Sequence, residues 1–277
     1  MTTRITILVD NETCDPGLGT EHGLALWIEH RGHRVLFDTG QSDLVLKNAD
    51  ALNVPVDSAQ AVILSHGHYD HAGGLPGVLQ RAPGAPVYTG DGATRPRYSL
   101  REPNNPRMIG LDPETLYALA RHPGGMLYPR RPIEVTPGLW VSGPIPRTCT
   151  GEPMDEPFYL DSSGSIKDTI PDEQALWMET DNGLAVITGC AHAGVVNTLS
   201  HARHHMPSRP ITALVGGLHL GNAPETRLRL VEHHLEGLPL TLLAAGHCTG
   251  AAPRARLQRL LGERAVPFCA GAVLELF

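Results

Sequence analysis

His66-Gly67-His68-Tyr69-Asp70-His71 brings three imidazoles and a carboxylate together directly after the apolar run Ala61-Val62-Ile63-Leu64-Ser65. Neutral imidazole ligates Zn, Fe, Mn or Cu, and an interleaved carboxylate can serve a second ion or orient a water. A strand exit explains the spacing. Alternate residues of an extended chain point the same way, so His66 and His68 share a direction, while Asp70 and His71 turn back as the chain bends toward Gly73 and Gly74. A solvated His-rich loop would not need four potential ligands at such spacing.

The elements that would carry this site alternate along the chain in two similar halves. In the first, strands are predicted near residues 4–9, 24–29, 34–37, 61–65 and 86–88, with a helix near 42–52. In the second, strands near 176–180, 184–188, 211–215, 240–244 and 272–276 alternate with helices near 194–205, 224–235 and 252–262. Leu257, Leu260 and Leu261 form one face of the last helix, and Arg254, Arg256 and Arg259 fall largely elsewhere. Most strands read as continuous apolar runs, as expected when helices cover a sheet from outside and a second sheet covers it from inside. Residues 91–132 break the pattern. They are rich in Pro, Gly and Arg, and carry one short predicted helix after Asp112-Pro113-Glu114. A long irregular segment of this kind serves as a lid or an insertion.

His-x-His-x-Asp-His after a buried strand resembles the metallo-β-lactamase superfamily of metal-dependent hydrolases, and further segments resemble its other motifs in order. Phe37-Asp38-Thr39-Gly40 matches the early Asp-Thr-Gly turn, Gly189-Cys190-Ala191-His192-Ala193-Gly194 the third motif, and Ala244-Ala245-Gly246-His247-Cys248-Thr249-Gly250 the last. A narrower resemblance rests on Asp10-Asn11, Glu21-His22-Gly23-Leu24, Gly143-Pro144-Ile145-Pro146-Arg147, Asp172-Glu173-Gln174-Ala175-Leu176 and Gly216-Gly217-Leu218-His219-Leu220. These recur together in the 7,8-dihydropterin-6-methyl-4-(β-D-ribofuranosyl)-aminobenzene-5′-phosphate synthase-like subfamily. The resemblance implies an α/β chain folded as an αββα four-layer sandwich, with residues 1–277 as a single domain. It also implies a metal site between the sheets and a substrate pocket built from the insertion at about 91–132. It implies one or two divalent ions, His66, His68 and His192 holding one and Asp70, His71 and His247 the other, with Zn expected first and Mn or Fe as alternatives. Asp38 is expected behind a ligand histidine. The fourth motif departs from the wider pattern, offering no carboxylate until Glu225, so His219 is read as a ligand, an oxyanion donor or a structural residue. His22 is left open because its motif belongs to the subfamily. Oxygen-reducing diiron members carry a Glu where His68 stands, whereas persulfide dioxygenases share the histidine motif.

Composition fits a globular enzyme. An apolar fraction of 41% over 277 residues supports a large core and excludes disorder. A net charge of −7 argues against general nucleic-acid binding. Five cysteines, odd in number and without a Cys-x-x-Cys pair, favour a reducing compartment. No apolar stretch reaches transmembrane length, so the expectation is a cytoplasmic protein without membrane or nucleic-acid partners, a homodimer among its oligomeric options.

The chemistry expected from these residues is hydrolysis of an ester, phosphodiester or lactone of a small anionic molecule. Asp70 would orient the attacking water and His219 would stabilise developing charge. Arg147 and Arg107 are the candidates for gripping the anion, since planar guanidinium forks suit phosphate and carboxylate. The alternatives are a dihydropterin methyl diphosphate-dependent synthase and a metal-bearing binding or regulatory protein with little turnover.

Overall fold

A computed structural model describes residues 3–102, 104–152 and 156–277. Two seven-stranded sheets face each other. The first runs, in spatial order, Val273–Leu276, Thr3–Val9, Ala25–His30, His33–Phe37, Ala61–Ile63, Val87–Tyr88 and Met126–Leu127. The second runs Ala265–Val266, Leu242–Gly246, Ile211–Gly217, Gly183–Thr188, Leu176–Thr180, Leu139–Val141 and Ile133–Thr136. Each sheet joins an antiparallel half to a parallel half.

Side-chain alternation explains the layers. In Gly183–Thr188, Ala185 and Ile187 face the core between the sheets, and Leu184 and Val186 face a second core under Val195–His205, Glu225–Glu236 and Ala251–Leu261. In Thr3–Val9, Ile5 and Ile7 point into the same central core, while Leu8 and Val9 join a third under Leu44–Ala51, Leu75–Arg81 and Pro113–Arg121. With both faces covered, strands have no reason to alternate apolar with polar, which accounts for the unbroken runs. The result is an αββα four-layer sandwich.

The segment 91–132 divides. Tyr98–Ser99 and Arg107–Met108 pair with each other and with Phe158–Tyr159 in a small third sheet. Pro113–Arg121, capped by Asp112 Oδ1 accepting from Thr115 N at 2.7 Å, packs into the outer layer, and Met126–Leu127 extends the first sheet. Cys14 and Cys269 form a disulfide with Cα atoms 5.5 Å apart. The cysteine count had pointed to a reduced set. Partners 255 residues apart leave no spacing signal for such a pair. Among the described residues no helix is long and apolar enough to cross a membrane.

Candidate metal centre

The parallel strands of both sheets end at one edge, and their exits carry the histidines. Among the described residues, four of the seven non-glycine positions with left-handed backbone lie there: Asp38 (φ 58°), Ala191 (56°), His219 (48°) and His247 (50°). Such conformations persist only where the surroundings enforce them, and they cluster at functional sites. Gly67 separates the first two histidines because Ala93 passes against it. A Cβ there would lie 1.9 Å from the Ala93 carbonyl oxygen.

Two groups of donors form. In the first, His66 Nε2 lies 3.0 Å from His68 Nδ1 and 3.2 Å from His192 Nε2. In the second, His71 Nε2 lies 3.2 Å from His247 Nε2, and Asp70 Oδ2 lies 3.6 and 3.4 Å from those two nitrogens. Ligands ~2.0–2.1 Å from a tetrahedral ion sit roughly 3.3 Å from one another, so both spacings suit a divalent ion.

Hydrogen bonds behind the rings fix which nitrogen faces inward. Ser65 Oγ donates to Asp38 Oδ2 at 2.7 Å, so it accepts from His66 Nδ1 at 2.9 Å and leaves the His66 Nε2 lone pair free. Asp38 Oδ2 also accepts from His71 Nδ1 at 2.7 Å. Asn11 Oδ1, oriented by Gly23 N at 3.4 Å, accepts from His247 Nδ1 at 3.1 Å. His71 Nε2, His247 Nε2 and Asp70 Oδ2 therefore converge, two ring nitrogens and a carboxylate oxygen turned toward one point. Burial alone would lower His71, but the Asp70 and Asp38 carboxylates raise it, so without a metal a proton sits among these atoms, and a divalent ion would take its place. Burial pushes His66, His68 and His192 well below the ordinary histidine range, so they are neutral, as ligands must be. For Asp70 burial opposes ionisation, but His71, His22 and His247 outweigh it and hold the carboxyl well below its usual range.

His22 joins the second group, its Nε2 3.2 Å from Asp70 Oδ2. Cys190 Sγ lies 3.2 Å from His71 Nε2. His219 Nε2 faces Glu156 Oε1 at 3.2 Å, and Arg101 donates to Glu156 Oε2 at 2.7 Å. Burial alone would lower His219, but the Cys248 sulfur and the Glu156 carboxylate raise it to about 9, and His219 with Arg101 holds Glu156 at about 2 despite burial. His219 is thus a cation at neutral pH, which suits stabilisation of negative charge.

The site opens into a cavity of about 630 Å³ whose wall includes Tyr69, Arg101, Arg107, Ile109 and Phe158. Arg107 crosses the Tyr69 ring at 5.2 Å and donates to its hydroxyl at 2.6 Å. Arg147 is placed differently from the anion-gripping role expected of it. Its Nη1 donates to His192 O at 2.7 Å and its Nη2 to Thr169 O at 2.6 Å, and it does not line this cavity. Its guanidinium is spent on holding the His192 loop.

Several supporting residues had no role in the sequence. Asp172 Oδ2 accepts from Gly67 N at 2.9 Å, Glu173 accepts from His192 N at 2.5 Å and from Ala193 N, and Gln174 Nε2 donates to Leu64 O at 2.8 Å. Three successive residues thus clamp both histidine loops; the subfamily segment Asp172-Glu173-Gln174-Ala175-Leu176 marks them out in the sequence but gives them no role. Arg97, 1% exposed, pairs with Asp172 and with Asp168, the latter at 3.3 Å. Asp10 Oδ1 accepts from His247 N at 2.8 Å.

Residues 18–203 match the family described as Metallo-beta-lactamase superfamily. Over 225 residues the chain is 29% identical to the 7,8-dihydropterin-6-methyl-4-(beta-D-ribofuranosyl)-aminobenzene-5'-phosphate synthase of Methanocaldococcus jannaschii, covering 76% of this chain and 74% of that protein. The crystal structure of Tm1679, described as a metal-dependent hydrolase of the beta-lactamase superfamily, superposes with a TM-score of 0.85 at 32% identity, over 99% of both chains. Zn(2+)-bound PqqB from Methylobacterium extorquens shares the fold at 14% identity and a TM-score of 0.59, over 99% of this chain and 100% of that one. Motif order, layer architecture and a family match spanning most of the sequence agree, and the chain belongs to the metallo-β-lactamase superfamily.

Proposed function

We propose that this protein is a metal-dependent hydrolase with two divalent ions, zinc first among the candidates, that cleaves an ester, phosphodiester or lactone bond in a small anionic substrate. The supporting observation is the convergence of three candidate ligand atoms, Asp70 Oδ2, His71 Nε2 and His247 Nε2, beside a second cluster and beneath an open cavity. His66, His68 and His192 would hold one ion and Asp70, His71 and His247 the other. When bound, such ions lower the pKa of water from about 15.7 toward 7 and polarise a carbonyl or phosphoryl oxygen.

The chain's own residues complete the reaction. Asp70 orients the attacking water and passes its proton toward the leaving group. His219, kept cationic by Glu156, stabilises charge developing on the substrate oxygen. Arg107 takes the anionic group, while Ile109 and Phe158 cover the apolar part of the substrate and exclude water.

A second reading is a synthase that displaces diphosphate, favoured by the 29% identity to the Methanocaldococcus jannaschii enzyme. Arg107 and His219 would then face the departing diphosphate. Zinc-reconstituted protein assayed against phosphodiester, lactone and thioester substrates decides between them. Hydrolysis abolished by chelation and restored by zinc is the expected result. No hydrolysis, together with diphosphate release from a dihydropterin methyl diphosphate and an aminobenzene acceptor, selects the synthase.

A further inference from the structure

We infer that Cys190 is a thiolate ligand shared by both metal ions, the group that links the two histidine clusters. The inference rests on the two-ion reading above and adds a ligand that the superfamily motifs in this sequence do not name.

Position is the first argument. Cys190 Sγ lies within 4.8 Å of donor nitrogens on His66 and His71, of others on His192 and His219, and of His247 together with the Cys248 sulfur. His66 and His192 belong to one cluster, His71 and His247 to the other, so a single sulfur stands between the two. Its separation from His71 Nε2 is 3.2 Å. A sulfur ~2.3 Å and a nitrogen ~2.0 Å from one tetrahedral ion lie roughly 3.5 Å apart, and modest closure of the angle gives the observed value.

The second argument is how the chain delivers that sulfur. Gly189 precedes it, and a Cβ at this position would lie 2.0 Å from Ser65 Oγ and 2.9 Å from Asp38 Oδ2. Only glycine lets the end of Gly183–Thr188 press against the residues that orient His66 and His71, which brings the next side chain into the centre. Ala191 then takes a left-handed turn, φ 56°, so that His192 re-enters the same space two residues later. The adjacent strand Ile211–Gly217 ends in glycines and contributes no side chain to the gap.

The third argument separates the two thiols. Cys248 Sγ accepts from His219 N at 3.3 Å, faces the Cys190 carbonyl at 3.6 Å, and belongs to one donor group alone. Cys190 belongs to three, it is 3% exposed, and its sulfur lies 3.2 Å from His71 Nε2. On metal entry the thiol proton leaves for solvent and the sulfur lone pair takes the ion in its place, with no redox change.

Cobalt(II) reads this directly, because thiolate ligation gives a near-ultraviolet charge-transfer band that imidazole and carboxylate do not. Metal-free protein titrated with cobalt, with bound cobalt measured on the same samples, should develop the band through both equivalents. Cys190→Ala and Cys190→Ser should lose it while still binding cobalt, and Cys248→Ala should keep it. Two equivalents bound to the unaltered protein without the band overturn the inference and leave the two-ion reading intact. So does a band lost in Cys248→Ala alone. A band complete after one equivalent overturns the sharing. No bound cobalt at all removes the two-ion reading itself, and the inference with it.

Discussion

The two donor clusters differ in how their rings are held: one of three in the first, His66 on Ser65, is hydrogen-bonded from behind, against both rings of the second. Around His66, His68 and His192 the backbone is clamped: Asp172 takes Gly67 N, Glu173 takes His192 N, and Arg147 takes His192 O. The outer ring nitrogens His68 Nε2 and His192 Nδ1 have no hydrogen-bond partner among the described residues. Around His71 and His247 the rings themselves are anchored, on Asp38 and Asn11, while the group opens toward solvent through His22, whose side chain is 52% exposed. The enclosed cluster gains most of its rigidity from loop geometry, the open one most of it from anchored rings. The enclosed cluster should therefore bind its ion more tightly, and the open one should depend more on the acidic residues behind it.

Removing a ring from the enclosed cluster tests this most severely. His192→Ala deletes one of three nitrogens where no carboxylate of the group substitutes, and should cut turnover by about three orders of magnitude or more, ~4 kcal/mol of barrier. It should also drop bound zinc, measured by elemental analysis after dialysis, by one equivalent. Retention of both ions would mean that the clusters are not independent.

The histidine motif was legible because its four donors leave one turn, so their spacing is local. The strands were legible because both faces are buried. What stayed hidden was contact across the chain. Asp172 acts on Gly67, 105 residues away, and Arg97, one of many arginines in an irregular stretch, is buried against Asp168 and Asp172 and does not line the cavity. Arg147 misled for a related reason. A guanidinium fork suits an anion and a pair of carbonyls equally, and only the fold decides. The short pair Ile133–Thr136 and Leu139–Val141 was missed because strands of four and three residues give too few alternations to show a period.

A smaller effect should separate the two kinds of clamp. Asp38→Asn keeps an acceptor near His71 but removes the charge on its direct ring partner, and should weaken the open site's ion by about 10–100-fold and, acting through Ser65 on His66, the enclosed one by less. Glu173→Gln can still accept from one backbone N–H, and should weaken the enclosed site by less. Competition with a chromophoric chelator measures both. Equal losses would erase the distinction between ring and backbone anchoring.

His219 stands beside the enclosed cluster, its ring 4.4 Å from that of His192, and supplies the finest test. Its folded pKa of about 9 lies above the ordinary ~6.5, so its contribution to stability is complete below about 6.5 and fades as pH rises through 9. Glu156, held at about 2, contributes above about 4.5 and loses that contribution as pH falls through 2. In chelated protein, thermal melts should therefore show the largest gap between the unaltered chain and Glu156→Gln near pH 6, closing above about pH 10. In the zinc-loaded protein the same change should move the alkaline fall of kcat downward by about one pH unit, because the imidazolium loses its proton earlier while Cys248 still supports it. An alkaline limb that stays in place would show that the charge on His219 serves the fold and that another group meets the developing oxyanion.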